Sequence, residues 1–171
     1  MKHAFKNRGL TVVEMIVYLA VLTILTTAIV NSIVSLSISY RQFKVAKRVG
    51  QSAMLAMERI SREIRNADSV DTAQSLLNAH PGALQLNATT PGGAARTVKF
   101  YLEDDTLKVS ENGTAEGPLI SGKASTTNLV FRLISTPNSE AVKIEMTITA
   151  TSSTYSKTEK FYDTIILRGS Y

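Results

Sequence analysis

From Met15 to Tyr40 the chain runs 26 residues without a charged side chain, and the residue just before that run is an acid, Glu14. Few folds accept such a stretch: about 20 residues at a rise of about 1.5 Å each already cross the hydrocarbon core of a bilayer. The run therefore predicts a membrane-spanning helix with residues to spare. Glu14 falls within it. A charge at the bilayer centre costs roughly 2.5 to 3.5 kcal/mol on insertion scales, so an ionisable residue there is a functional candidate that needs a partner. The apolar run itself offers Glu14 none. The plain alternative is an acid close enough to the interface to stay hydrated.

The segment in front, Met1 to Gly9, carries Lys2, Lys6 and Arg8 and no acid. A basic leader followed by an apolar stretch also describes a secretory signal peptide, but the apolar region of such a peptide is only about 7 to 15 residues long. The run here is longer, an acid stands near its start, and the Ser-x-Ser sites within Ser35 to Ser39 come late for cleavage. Lys2, Lys6 and Arg8 favour a cytoplasmic N-terminus, while Arg41, Lys44, Lys47 and Arg48 crowd the far end. Charge counting alone leaves the orientation open.

Beyond Tyr40 the pattern turns amphipathic. Val45, Val49, Ala53, Met57, Ile60 and Ile64 recur at three- and four-residue steps, which places one apolar stripe on one helix, with Arg41, Lys44, Arg48, Arg59, Arg62 and Arg65 on its other faces. Glu58 and Arg62 have the spacing of a favourable i,i+4 pair. No Pro occurs before Pro81, so the helix is expected to run from Leu10 to about Ala67.

After Asp68 the period changes. Ser69 to Gly82 reads as a connecting loop with a short helical turn, and strands follow. Val98, Phe100 and Leu102 alternate, Glu103-Asp104-Asp105 turns the chain into Leu107 and Val109, and Asn112-Gly113 is a second turn signal. Leu129, Phe131 and Leu133 form one face before Pro137-Asn138. Val142, Ile144, Met146 and Ile148 then alternate with Lys143, Glu145, Thr147 and Thr149. Lys160 to Leu167 is suited to pair with that strand across a loop at 153–156. The expected fold class is α+β, an antiparallel sheet laid on the Val49/Met57/Ile60/Ile64 stripe so that each buries the other. The expected segments are a leader over 1–9, a membrane helix over 10–38, an amphipathic stem over 39–68 and a β-rich head over 69–171.

Charge and composition narrow the function classes. The formal charge of +5 suggests an anionic partner, but the three basic residues of the leader account for most of it and a surplus of two remains without them. Arg59, Arg62 and Arg65 recur at every third position, yet no aromatic side chains interleave with them as in single-strand binders. Nucleic acid stays an unsupported partner. Glu103-Asp104-Asp105 lacks the several converging oxygens and the spacing of a calcium loop and reads as a solvated turn. There is no Cys, His3 lies in the leader and His80 precedes Pro81-Gly82 in a loop, so no metal set, cofactor motif or activated nucleophile is visible. The chain reads as no enzyme.

Arg8-Gly9, then Leu10-Thr11-Val12-Val13-Glu14, then an apolar helix resembles the cleavage and methylation motif of type IV pilins and type II secretion pseudopilins. The stem and sheet are consistent with the pilin-like fold. Met57 to Ala67 and the closing Ile166-Leu167-Arg168-Gly169 resemble the minor pseudopilin J and minor pilin W group. The head lacks the Cys pair of many major pilins. The resemblance implies cleavage by a prepilin peptidase after Gly9 and N-methylation of Leu10. It also implies storage in the inner membrane, N-terminus in the cytoplasm and head outside, among lipid, an assembly platform and other pilin or pseudopilin subunits.

Cleavage would give Leu10 an α-amino group of pKa about 7.7 to 8.0, and helix packing in a filament would bring that ammonium to a neighbouring Glu14. A buried pair of this kind adds little net stability, but leaving one partner unpaired costs about 3 to 5 kcal/mol, which makes the pair a register device. The expected function is thus a filament subunit, a minor component near the tip. Three alternatives stay open: a major pilin, a tip module that binds DNA, a surface or an exported substrate, and an uncleaved single-pass anchor.

Overall fold

The computed structural model describes residues 11–120, 123–137, 139–153 and 155–168. One helix, α1, runs Val12–Asn66, close to the expected span. The chain divides into two compact units, residues 1–41 and 42–171.

In the first unit Thr11 starts the helix. Its carbonyl accepts the Met15 N–H at 3.1 Å and its hydroxyl accepts the Glu14 N–H at 3.3 Å, which is half of a Thr-x-x-Glu capping box. From there to Tyr40 the large apolar side chains are exposed all round the helix, Val12 at 77% and Leu36 at 72%. The segment is long and apolar enough to cross a membrane. Four of its hydroxyls bond the helix itself: Thr23, Thr26, Thr27 and Ser32 each donate to the carbonyl four residues back, at 2.8 to 2.9 Å. Back-bonding of this kind satisfies a hydroxyl without help from water.

In the second unit the remainder of α1 buries Val45, Val49, Ala53, Ala56, Ile60 and Ile64. The stripe is the expected one with one exchange. Ala56 holds the central position and Met57 packs at its margin, partly buried. The small side chains of Ser52, Ala53 and Ala56 are buried in the middle of the stripe.

Two antiparallel sheets receive that stripe, where the pattern suggested one. The first joins β1 (Ser69–Val70), β2 (Leu84–Thr89), β3 (Ala95–Glu103), β4 (Thr106–Glu111) and β5 (Thr114–Pro118) in chain order. The second joins β6 (Ala124–Thr136), β7 (Ser139–Ser152) and β8 (Tyr155–Ile166). Leu84, Leu86, Val98, Phe100, Leu107, Phe131 and the Val142/Ile144/Met146/Ile148 row close a single core on the stem. The expected turns are two-residue hairpins with left-handed residues, Asp104 and Asp105 at φ 48° and 56° and Asn112 and Gly113 at 49° and 80°.

Other segments differ from expectation. Ser69 to Gly82 contains the short β1 and, where a helical turn was expected, a turn held by the Asp71 carboxylate, which accepts the N–H of Ala73 and Gln74. Tyr155 and Ser156 belong to β8, not to a loop, and Asn138 of the expected Pro137-Asn138 turn lies outside the described residues. On the helix the i,i+4 ion pair is Arg59 with Glu63 at 3.1 Å, where Glu58 with Arg62 was expected, because Glu63 is the acid that faces the sheet.

Candidate functional site

Glu14 sits in the first turn of α1. Its Oε1 accepts the Tyr18 hydroxyl at 3.0 Å, so the apolar run does supply a partner one turn along, contrary to expectation. That partner is a neutral donor. A carboxylate has about four acceptor positions, and Tyr18 uses one of them. The group stays half-exposed on a helix of exposed apolar side chains, with room for a cation from outside the chain. Gly9 and Leu10, the expected cleavage and methylation positions, lie outside the described residues.

In the second unit the charged side chains converge on Glu63, only 6% exposed. Arg96 on β3 forks between two acids. Its Nη1 and Nη2 donate to Glu63 at 2.8 and 3.3 Å, and its Nε and Nη2 donate to Glu111 on β4 at 2.5 and 3.0 Å. Arg59 lies between Glu63 and Glu116 on β5, at 3.1 and 3.2 Å. Stem and first sheet are thereby joined by two cations and three acids. The hydrogen bonds to Glu111 and Glu63 push the Arg96 guanidinium still further towards the charged form. Arg96, through its hydrogen bonds first and its charge besides, holds the Glu111 carboxyl down to about 2.

Sequence reasoning missed this cluster. Arg59 and Glu63 have visible i,i+4 spacing, but Arg96 and Glu111 meet only through the β3–β4 register, in which Val98 lies opposite Glu111.

The three arginines at every third position are not one equivalent set. Arg59 is held by the acids above, whereas Arg62 and Arg65 are exposed and line an open groove with Met57, Ser61 and Asp163. Ser61 donates to Asp163 there at 3.1 Å. Asp104 and Asp105 form the β3–β4 turn, and Glu103, the last residue of β3, pairs with Lys108. Among the described residues no three His, Cys, Asp or Glu side chains gather as a metal set. His80 has a local task, its Nδ1 accepting the Leu129 N–H at 3.1 Å on the edge of β6.

Compared with family models, with characterised proteins and with solved structures, the chain finds no match.

Proposed function

We propose that this chain is a membrane-stored filament subunit of the type IV pilin and pseudopilin class, cleaved after Gly9, N-methylated at Leu10 and assembled through α1. One observation carries the reading: a stretch of helix uncharged from Met15 to Tyr40, its apolar side chains exposed, has at its very start a single acid with acceptor positions to spare. Such a surface asks for lipid first and for like helices afterwards. An incoming α-ammonium is the cation that cleavage at Gly9 would create at the right end of a neighbouring chain. Thr11 supports the scheme, because its cap begins the helix one residue after the proposed new N-terminus. The chain is on this reading a substrate of a processing enzyme and carries no catalysis of its own. The lack of a disulfide-closed loop in a Cys-free head favours a minor subunit over a major one.

The test is intact mass and N-terminal sequencing of chain extracted from membranes that contain a prepilin peptidase, together with filament recovery for Glu14→Ala and Glu14→Leu. Methylated Leu10 as first residue, with both variants cleaved but poorly recruited, is the expected result. A chain that keeps Met1 to Gly9 under those conditions would instead make it an uncleaved single-pass anchor.

A further inference from the structure

The two outer edges of the second sheet are treated differently. The edge of β6 is occupied: Asn78 N–H donates to the Phe131 carbonyl at 2.8 Å, Gly82 N–H to the Leu129 carbonyl at 2.9 Å, and Thr126 N–H to the Asp105 carbonyl at 2.7 Å. β8 forms the opposite edge, and among the described residues no strand lies beyond it. Its pairing with β7 runs without a bulge from Ser152↔Tyr155 to Ala141↔Ile166.

The direction of its backbone groups follows from two bonds. Leu167 N–H continues the ladder to the Glu140 carbonyl at 3.0 Å, whereas Thr164 N–H is taken by the Asp163 carboxylate at 2.8 Å. Odd-numbered residues therefore bond towards β7, and even-numbered ones turn their N–H and C=O groups outward. Ser156, Thr158, Lys160 and Tyr162 present a ladder ready for another strand. At Thr164 the Asp163 side chain blunts it.

We infer that this edge pairs with the same edge of a second copy of the chain, antiparallel about a two-fold axis at Thr158. The sequence of β8 selects both occupant and register, centring on Tyr155 or Ser156 lying too near its start to pair more than three of its residues. Even residues must face even residues. Centring on Lys157, Glu159 or Lys160 sets like charges against each other, and centring on Phe161 sets Glu159 against Asp163 of the second copy. Centring on Tyr162 or beyond draws in the blunted Thr164. Lys157 and Glu159 already pair at 3.1 Å along their own strand, and centring on Thr158 sets each against the opposite charge of the second copy as well, twice by symmetry, and Tyr155 against Phe161, also twice. Opposite charges and aromatic pairs directly across an antiparallel ladder are the favourable cross-strand combinations. Tyr155 and Phe161 are both only partly buried against the core, so the second copy would cover what the first leaves bare. An isologous contact of this kind closes at two chains. It concerns the second unit alone and does not depend on cleavage at Gly9.

The chain has no Cys, so an introduced thiol reports without background. Paired residues of the outward-facing type would stand about 5.5 Å apart at Cα, within the range a disulfide bridges. Full-length Thr158→Cys in native membranes, oxidised in air with copper phenanthroline, should form a covalent dimer of twice the chain mass, several-fold more than exposed Thr114→Cys. Ser156→Cys co-expressed with Lys160→Cys should cross-link, and neither should alone. In the Thr158→Cys background, Lys157→Glu should lower the yield and the exchange Lys157→Glu with Glu159→Lys should restore it. Thr158→Cys cross-linking no better than Thr114→Cys, or giving a product whose mass shows a different protein, would overturn the self-pairing.

Discussion

Arg96 Nη1 lies 2.8 Å from Oε2 of Glu63, and this contact ties the one deeply buried acid of the stem to the first sheet. Removing one member of a buried pair costs about 3 to 5 kcal/mol because the other charge is left uncompensated. Arg59 remains beside Glu63, so Arg96→Met is expected to cost about 3 kcal/mol, at the lower end of that range. The double variant Glu63→Leu with Arg96→Met should be less damaging than Arg96→Met alone, since the buried Glu63 charge is then removed with its partner and only the more exposed Glu111 is left without Arg96. Thermal unfolding of the three proteins checks this. A double variant worse than the single one would contradict it.

The same cluster predicts an acid limb. The folded head holds the Glu111 carboxyl at about 2, through Arg96 first, against an ordinary 4.5. As pH falls, the unfolded chain takes up this proton before the folded one. The stabilisation is complete above about pH 5 and drains away towards pH 2. Glu145, lowered by Arg132 and Lys143, acts in the same direction. Urea midpoints measured from pH 7 to pH 2.5 should fall more steeply for the parent chain than for Arg96→Met. Parallel pH profiles would show that Arg96 does not set the Glu111 contribution.

The elements legible in the sequence were those whose side chains report burial. The Val142/Ile144/Met146/Ile148 row, the Val45-to-Ile64 stripe and the two hairpin turns were each specified by local pattern, and all are present. β5, with Thr114-Ala115-Glu116-Gly117-Pro118, has almost no apolar side chain and is held by backbone pairing to β4, so no periodicity marks it. β2 was legible and missed: Leu84, Leu86 and Ala88 alternate between Gly82 and Pro91. The Arg96 cluster depends on strand register, and register depends on turns and bulges far from the charges. Tyr18 could have been found, one helical turn from Glu14, but an uncharged phenol is easily counted as part of an apolar run.

Two glycines should respond to Ala in opposite ways. A Cβ at Gly82 would stand 2.9 Å from the Leu129 carbonyl oxygen and 3.2 Å from Phe131 Cδ2, so Gly82→Ala must push the 78–82 segment off the β6 edge. A cost of about 1 to 3 kcal/mol is expected, typical of overpacking. Gly50 lies within α1, and a methyl group added there would meet nothing within 4 Å. Gly50→Ala should stabilise by about 0.5 to 1 kcal/mol, by removing glycine's extra freedom in the unfolded chain. Chemical denaturation that gave both substitutions the same sign would refute the pairing.

Glu14 has two partners to be told apart, the Tyr18 hydroxyl within its own helix and the proposed ammonium of a neighbouring Leu10. A neutral hydrogen bond is worth about 0.5 to 1.5 kcal/mol net, whereas an unpaired buried charge costs about 3 to 5 kcal/mol. If the ammonium sets filament register, Tyr18→Phe should be cleaved and recruited at close to the parent level. Glu14→Gln keeps an acceptor for Tyr18 but no charge, and it should be lost from filaments as fully as Glu14→Leu. Quantitative immunoblots of sheared filaments and membranes separate the cases. Recruitment of Glu14→Gln with loss of Tyr18→Phe would reverse the assignment, leaving the Tyr18 contact as the operative one and the charge of Glu14 as incidental.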